Sequence, residues 1–467
     1  MLRRLLPLLC RGAMLVAIAL PAFAQTYREL ISFNGDTAAG PVTPLTQGTD
    51  GDLYGTTEFG GNPACTGYAI GCGIVFKITR KGEFQVLYNF PPDGGADEPI
   101  NDLVLGRDGN LYGTTADTVF KITPAGGFTT LHTFTNGVGG YDLGGGVVQG
   151  LDGDFYGTTS AGGQPSNSCS SGCGTVFKMT PSGEVTTLYS FCPQNYCPDG
   201  EDPIGPLTQG PDGNFYGTAY GGGLYKSGTF FKITSSGAFK LLYTFPAGTY
   251  LMGGTILATD GNFYGANAEG GLYRMTPEGD YIALPNPGNV PNVPLQGSDG
   301  NLYGTTQAGN GGHGFGPLGN IFEMPLSGST YNSLYFFEGY PNDGSYPFVG
   351  LVQATNGIFY GTTYTGGGSP CNYYVPGCGT VYSIDMGLGP FVAFINRAGR
   401  VGQEIGILGQ GFLGTSGVSV NGTPANFTVR SETLLIATIP AGATTGYVTV
   451  TTPTGILTSN VPFRVIQ

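Results

Sequence analysis

Acidic side chains gather in the segments between the repeated motifs of this 467-residue chain. Asp93, Asp97 and Glu98 lie in one such segment, Asp199, Glu201 and Asp202 in a second, and Asp343 in a third. Several carboxylates held close together could bind a hard cation such as Ca²⁺, which prefers many oxygen ligands. Two at a suitable separation could instead do acid–base work on a glycosidic bond. Tyr373 and Tyr374 stand in a comparable segment and would offer aromatic faces to a ligand. The plainer reading is that solvated acids keep the chain soluble. No acid spacing follows an EF-hand loop or a calcium-binding nonapeptide repeat, so no cofactor is expected and Ca²⁺ alone is left open.

Eight of the nine cysteines form four close pairs: Cys65/Cys72, Cys169/Cys173, Cys192/Cys197 and Cys371/Cys378. An even set in an exported chain reads as disulfides. Zinc is the rival, but zinc sites usually join two such pairs or add histidine, and neither His132 nor His313 stands beside a pair. No metal site is expected. The chain has no G-x-S-x-G elbow, H-E-x-x-H, P-loop or dinucleotide fingerprint in a strand-to-helix setting, so no catalytic residue is assigned.

The elements that would position these residues are visible as repeats. Asp-Gly-x-(Leu/Phe)-Tyr-Gly begins at Asp50, Asp108, Asp152, Asp212, Asp260 and Asp299, with a seventh copy at Asn356. A second string of the type Thr-Val-Phe-Lys-Ile-Thr follows each, centred on Phe76, Phe120, Phe177, Phe231, Tyr273, Phe322 and Tyr382. A third, Leu-Tyr-x-Phe, begins at Leu87, Leu131, Leu188 and Leu242, and an apolar stretch precedes each Asp-Gly. Asp-Gly between apolar stretches is a hairpin turn, because Gly takes positive φ without steric cost. Each copy is thus a four-stranded antiparallel meander, and neighbouring copies must cover its apolar faces. The recurring Asp reads as a turn cap, and Lys77, Lys121, Lys178 and Lys232 read as solvated or cross-strand-paired residues. His132 replaces the Tyr of a Leu-Tyr-x-Phe strand, which favours packing over catalysis.

The seventh copy ends after its third strand, Val381-Tyr-Ser-Ile-Asp, and a spare strand, Leu30-Ile-Ser-Phe33, precedes the first copy. Joining the two would close a ring and remove a free edge. The expected fold class is all-β: a seven-bladed β-propeller over 25–386 closed by an N-terminal strand, then an immunoglobulin-like β-sandwich over 387–467.

The strings Asp-Gly-Asn-Leu-Tyr-Gly-Thr-Thr and Gly-Thr-Val-Phe-Lys-Ile-Thr resemble the GloVer tandem repeat of exported bacterial proteins, whose members differ in their C-terminal anchoring device. The resemblance covers residues 28–385 and implies an exported or surface location, but no activity. The runs Gly409-Gln-Gly-Phe-Leu, Val420-Asn-Gly-Thr-Pro-Ala and Ile439-Pro-Ala-Gly resemble an IPT/TIG domain. Such domains are usually spacers or interaction modules.

Residues 1–24 read as a signal peptide: Arg3 and Arg4, an apolar run from Met14, and Ala22-Phe-Ala24 at the cleavage site. The run is too short to span a bilayer, so no membrane span is expected in the mature chain, and no covalent anchor is read after Gln467. Cleavage would remove Arg3, Arg4 and Arg11 and no acid, leaving 15 of the 18 basic residues against 31 acids. That balance opposes nucleic acid and anionic lipid as partners. The location is exported: periplasmic, extracellular or cell-surface.

In a meander, the second-to-third connections and the links between copies emerge on one side, and the tight turns on the other. The connection side carries every cysteine pair and the inter-repeat acids from Asp93 to Asp343, and loops on a rigid scaffold are where binding resides. The reading is a non-catalytic binding or adhesion module for an extracellular protein or glycan, using that side. The alternative is a secreted carbohydrate-active hydrolase or lyase with paired carboxylates there.

Overall fold

The computed structural model describes residues 25–65, 71–92, 99, 101–135, 137, 139–167, 169–251, 253–308, 318–369, 371 and 377–466. The expected leader over 1–24, together with Asp93, Asp97, Glu98, His313, Tyr373 and Tyr374, lies outside them. The described chain is all-β, and no helix in it is long and apolar enough to cross a membrane.

Seven antiparallel sheets follow one another along the repeats. The first is typical: Thr46–Gln47, Leu53–Thr57, Ile74–Ile78 and Phe84–Asn89, paired in sequence order. The seventh differs. Its strands Val352–Gln353, Phe359–Thr363 and Thr380–Asp385 are completed by Thr26–Ser32, which runs antiparallel to Thr380–Asp385 with Thr26 opposite Asp385 and Ser32 opposite Thr380.

Two side-chain devices recur through the sheets. At the tight turn, Asp50 Oδ1 accepts the Asp52 N–H at 3.2 Å, and Oδ2 accepts the Tyr54 hydroxyl at 2.7 Å. Gly51 sits between them at φ +84°, where a side chain would be strained. Lys77 on the third strand closes the group, with Nζ 2.8 Å from Asp50 and 2.9 Å from Asp52. The second device is the Gly after each motif Tyr. A Cβ on Gly217 would lie 2.6 Å from Phe231 Cζ and 2.7 Å from Leu207 Cδ2, so the missing side chain is the space that the aromatic ring of the next strand fills.

Apolar packing runs from each sheet to the next. One cluster joins Tyr54 and Val75 of the first sheet to Leu111 and Phe120 of the second, and equivalents link each later pair. Another joins Tyr360 and Val381 of the seventh sheet, with Phe33, to Leu53 and Phe76 of the first. A glutamine clamp repeats the pattern at the turns. Gln149, Gln296 and Gln353 each accept a backbone N–H from the preceding sheet, and Gln47 of the first sheet accepts the Thr355 N–H of the seventh at 2.9 Å.

The C-terminal segment forms two four-stranded sheets and a short parallel pair, Ala398–Arg400 with Arg464–Ile466. They enclose their own core, including Ile407, Phe412, Leu435, Val448 and Phe463. This unit sits against the tight turns: Thr433 Oγ1 donates to the Thr49 carbonyl at 2.8 Å, and Gln410 Nε2 donates to Thr355 Oγ1 at 2.7 Å.

Candidate functional site

The connection side is held by the four disulfides, which pair the cysteines as their spacing suggests: Cys65–Cys72, Cys169–Cys173, Cys192–Cys197 and Cys371–Cys378. Two of them converge in a way the spacing does not reveal. The four sulfurs of Cys169, Cys173, Cys192 and Cys197 lie within 4.8 Å of one another, and Cys173 Sγ is 3.6 Å from Cys197 Sγ. Bonded as disulfides, they offer no thiolate, which is the form that ligates zinc.

Of the acids singled out in the sequence, Asp199 and Asp343 are buried, at 9% and 4% exposure. Asp199 Oδ2 accepts the Tyr189 hydroxyl at 2.7 Å and the Cys192 N–H at 3.1 Å. Asp343 accepts the Tyr335 hydroxyl at 2.5 Å and the N–H groups of Glu338 and Gly339 at 2.8 and 2.7 Å. Both acids therefore brace the link between two sheets by holding the Tyr of the preceding Leu-Tyr-x-Phe strand. Neither presents a free carboxylate to a ligand.

Glu201 and Asp202 are more open, and with Asp142 they form an acidic trio between the third and fourth sheets. Burial first, and then the charges of Glu201 and Asp142, raise the Asp202 pKa. Glu29 on the N-terminal strand is raised in the same way, by burial and then by Asp343. Tyr27 stacks on Tyr335 beside them, with ring centroids 4.0 Å apart. His132 packs edge-on against Phe134, with its Nδ1 3.1 Å from the Gly183 carbonyl.

Exposed aromatics supply what the acids do not. Tyr196, Leu224 and Tyr225 are 78%, 76% and 53% exposed, and Tyr220 and Tyr250 form an open stacked pair with centroids 5.7 Å apart. All five lie at the connection end of the fourth sheet or in the links on either side of it. Tyr340, Tyr346 and Phe348 are exposed in the link before the seventh sheet. Sequence reasoning missed these residues. The available signal was their register, since they are large apolar or aromatic residues at strand ends or in connections that no repeat position requires.

Between the repeat array and the C-terminal unit lies a cavity of about 580 Å³, with a second cleft of about 430 Å³ beside it. The first strands of the second to fifth sheets (Val104, Val148, Leu207 and Ile256 among their residues) line the larger cavity together, so these strands face a common axis. Glu404, in the smaller cleft, is the one carboxylate lining either space.

These features define an all-β, propeller-like repeat protein with an appended sandwich domain. Residues 64–276 match the Gloeobacter/Verrucomicrobia repeat family and residues 390–465 match the IPT/TIG domain, so the chain carries both. No curated protein matches it in sequence. Among solved structures it is similar to a catalytically inactive virginiamycin B lyase from Staphylococcus aureus with quinupristin. That likeness has a TM-score of 0.53 at 14% identity and covers 77% of this chain and 99% of that one. A streptogramin B lyase gives 0.51 at 15%, covering 77% and 97%, and an oligogalacturonate lyase in complex with manganese gives 0.50 at 11%, covering 77% and 92%. At such identities the likeness is one of fold.

Proposed function

We propose that the chain is an exported, non-catalytic binding or adhesion module that engages an extracellular protein or glycan through its connection side. Its organisation is a leader over 1–24, a seven-bladed propeller over 25–386 closed by the N-terminal strand, and an IPT/TIG domain over 387–467. The cyclic packing of the seven sheets supports the closed ring, and the four disulfides support export.

One observation carries the choice of surface. Among the described residues, every strongly exposed tyrosine of the repeat array lies on the connection side, whereas the C-terminal domain occupies the turn side. Tyrosine offers a rigid face for stacking on sugar rings or apolar side chains, and a hydroxyl at its edge, at little entropic cost. The lyases of similar fold favour a second reading, a carbohydrate-active lyase or hydrolase. Its paired carboxylates would come from the connection side, where Asp142, Glu201 and Asp202 stand together.

The test is a glycan and secreted-protein binding screen on the mature chain, with and without Ca²⁺. The triple variant Tyr220→Ala, Tyr225→Ala, Tyr250→Ala should lose any captured ligand at least tenfold, while a turn-side variant, Asp260→Asn, should retain it. Equal binding by both variants contradicts the assignment, and product release from a bound glycan favours the second reading. Loss of binding on Ca²⁺ removal would implicate Asp142, Glu201 and Asp202.

A further inference from the structure

The larger cavity has a chemistry of its own. Its walls are apolar, formed by Val104, Val148, Ile256 and Leu257 of the repeat array. Its charged lining consists of Arg397 and Arg464 from the C-terminal domain, and no acid lines it. In a chain with 31 acids and 18 basic residues, a cavity with two cations and no anion runs against the composition.

The two arginines differ. Arg464 reaches the Gly210 carbonyl at 3.5 Å. The neighbouring Arg107 donates through Nη2 to the carbonyls of Gly150 and Leu151 at 3.2 and 3.1 Å. The Arg397 guanidinium has no hydrogen-bond or ion-pair partner among the described residues. It is surrounded by protein but open to the cavity, and this enclosure lowers its pKa. A guanidinium presents five donors in a planar fork that matches a carboxylate. Solvent reaches this head through the open cavity, and a carboxylate arriving there would meet a free fork with which to form charge-assisted hydrogen bonds.

The geometry points to a ligand site at the junction of the repeat array and the C-terminal domain, for a small organic monoanion with an apolar body and one carboxylate. The carboxylate would pair with Arg397, and the body would lie against Val104, Val148 and Ile256. The volume falls in the range usual for small-molecule pockets. Apolar walls with one unpaired fork favour an amphiphilic carboxylate over inorganic phosphate, which would leave those walls wet.

The site is tested by calorimetric titration of the full mature chain with hexanoate, 1-hexanol, hexylamine and inorganic phosphate. Hexanoate should bind, with the other three at least tenfold weaker. Arg397→Gln should weaken hexanoate at least tenfold, and Val148→Phe, which fills the cavity, should do the same while leaving the charge in place. The comparison of probes on the unaltered chain decides the matter even if a variant fails to fold. The proposal is overturned if hexanoate does not bind, if hexanol or phosphate binds equally well, or if folded Arg397→Gln binds hexanoate unchanged.

Discussion

In the first, third and fourth sheets the Asp of the tight turn joins backbone, ring and ammonium. In the fourth sheet, burial opposes ionisation of Asp212, but hydrogen bonds from Asn214 and then Lys232 overcome it and hold the pKa at about 2. A carboxyl depressed below its unfolded value adds stability that is full above about pH 4 and is lost as pH falls through about 2. Asp212→Ala should therefore cost about 1–2 kcal/mol at pH 7 and nearly nothing at pH 2, measured by urea unfolding. Asp102 behaves in the opposite way. Burial without a counter-charge pushes its pKa up to about 6. An acid raised in the folded state is no burden below about pH 4, and its ionisation lowers stability as pH rises toward 6. Asp102→Asn should thus stabilise the chain by about 1–2 kcal/mol at pH 7 and by nothing at pH 3.5, solvent reaching the partly exposed carboxyl and moderating the effect.

At the scale of the sheet, the motif Tyr-Gly and the Phe of the following strand are one packing unit. Gly217→Ala forces a methyl between Phe231 and Leu207, and a well-packed layer resists such overpacking at about 1–3 kcal/mol. Thermal unfolding should show the loss, with Gly389→Ala as a control: its φ is not positive and a Cβ there meets nothing within 4 Å. These units were legible in the sequence because each records a local rule: a turn residue, a missing Cβ, an aromatic in register. The disulfides were legible for the same reason, since each closes within one connection. The candidate site was less so. Asp199 and Asp343 look like solvated loop acids until the fold brings Tyr189 and Tyr335 to them, a contact between the end of one sheet and the link to the next. The Tyr220–Tyr250 stack crosses from the end of a strand to a separate link, and Arg397 meets its cavity only once two domains dock. Contacts between elements leave no spacing in the chain to read.

In the whole molecule, the separation of two sides depends on closure. With the N-terminal strand paired to the seventh sheet, Phe33 packs on Phe76 and Phe84 with ring centroids 5.8 and 5.7 Å apart, so one short segment ties the last repeat to the first. The C-terminal domain then meets turns of the first and seventh sheets together, through Thr49 and Thr355. On the proposed closed ring these turns share one surface, and the connection side lies opposite. The most direct measurement is the thermal unfolding of a chain that begins at Asn34, alone and with a peptide of residues 25–33 added in trans. The account predicts a midpoint lowered by about 4–7 °C, the shift that a loss of roughly 3–5 kcal/mol gives a unit of this size, and recovery with the peptide. An unchanged midpoint in the shortened chain, or a lowered one that the peptide does not restore, would contradict it.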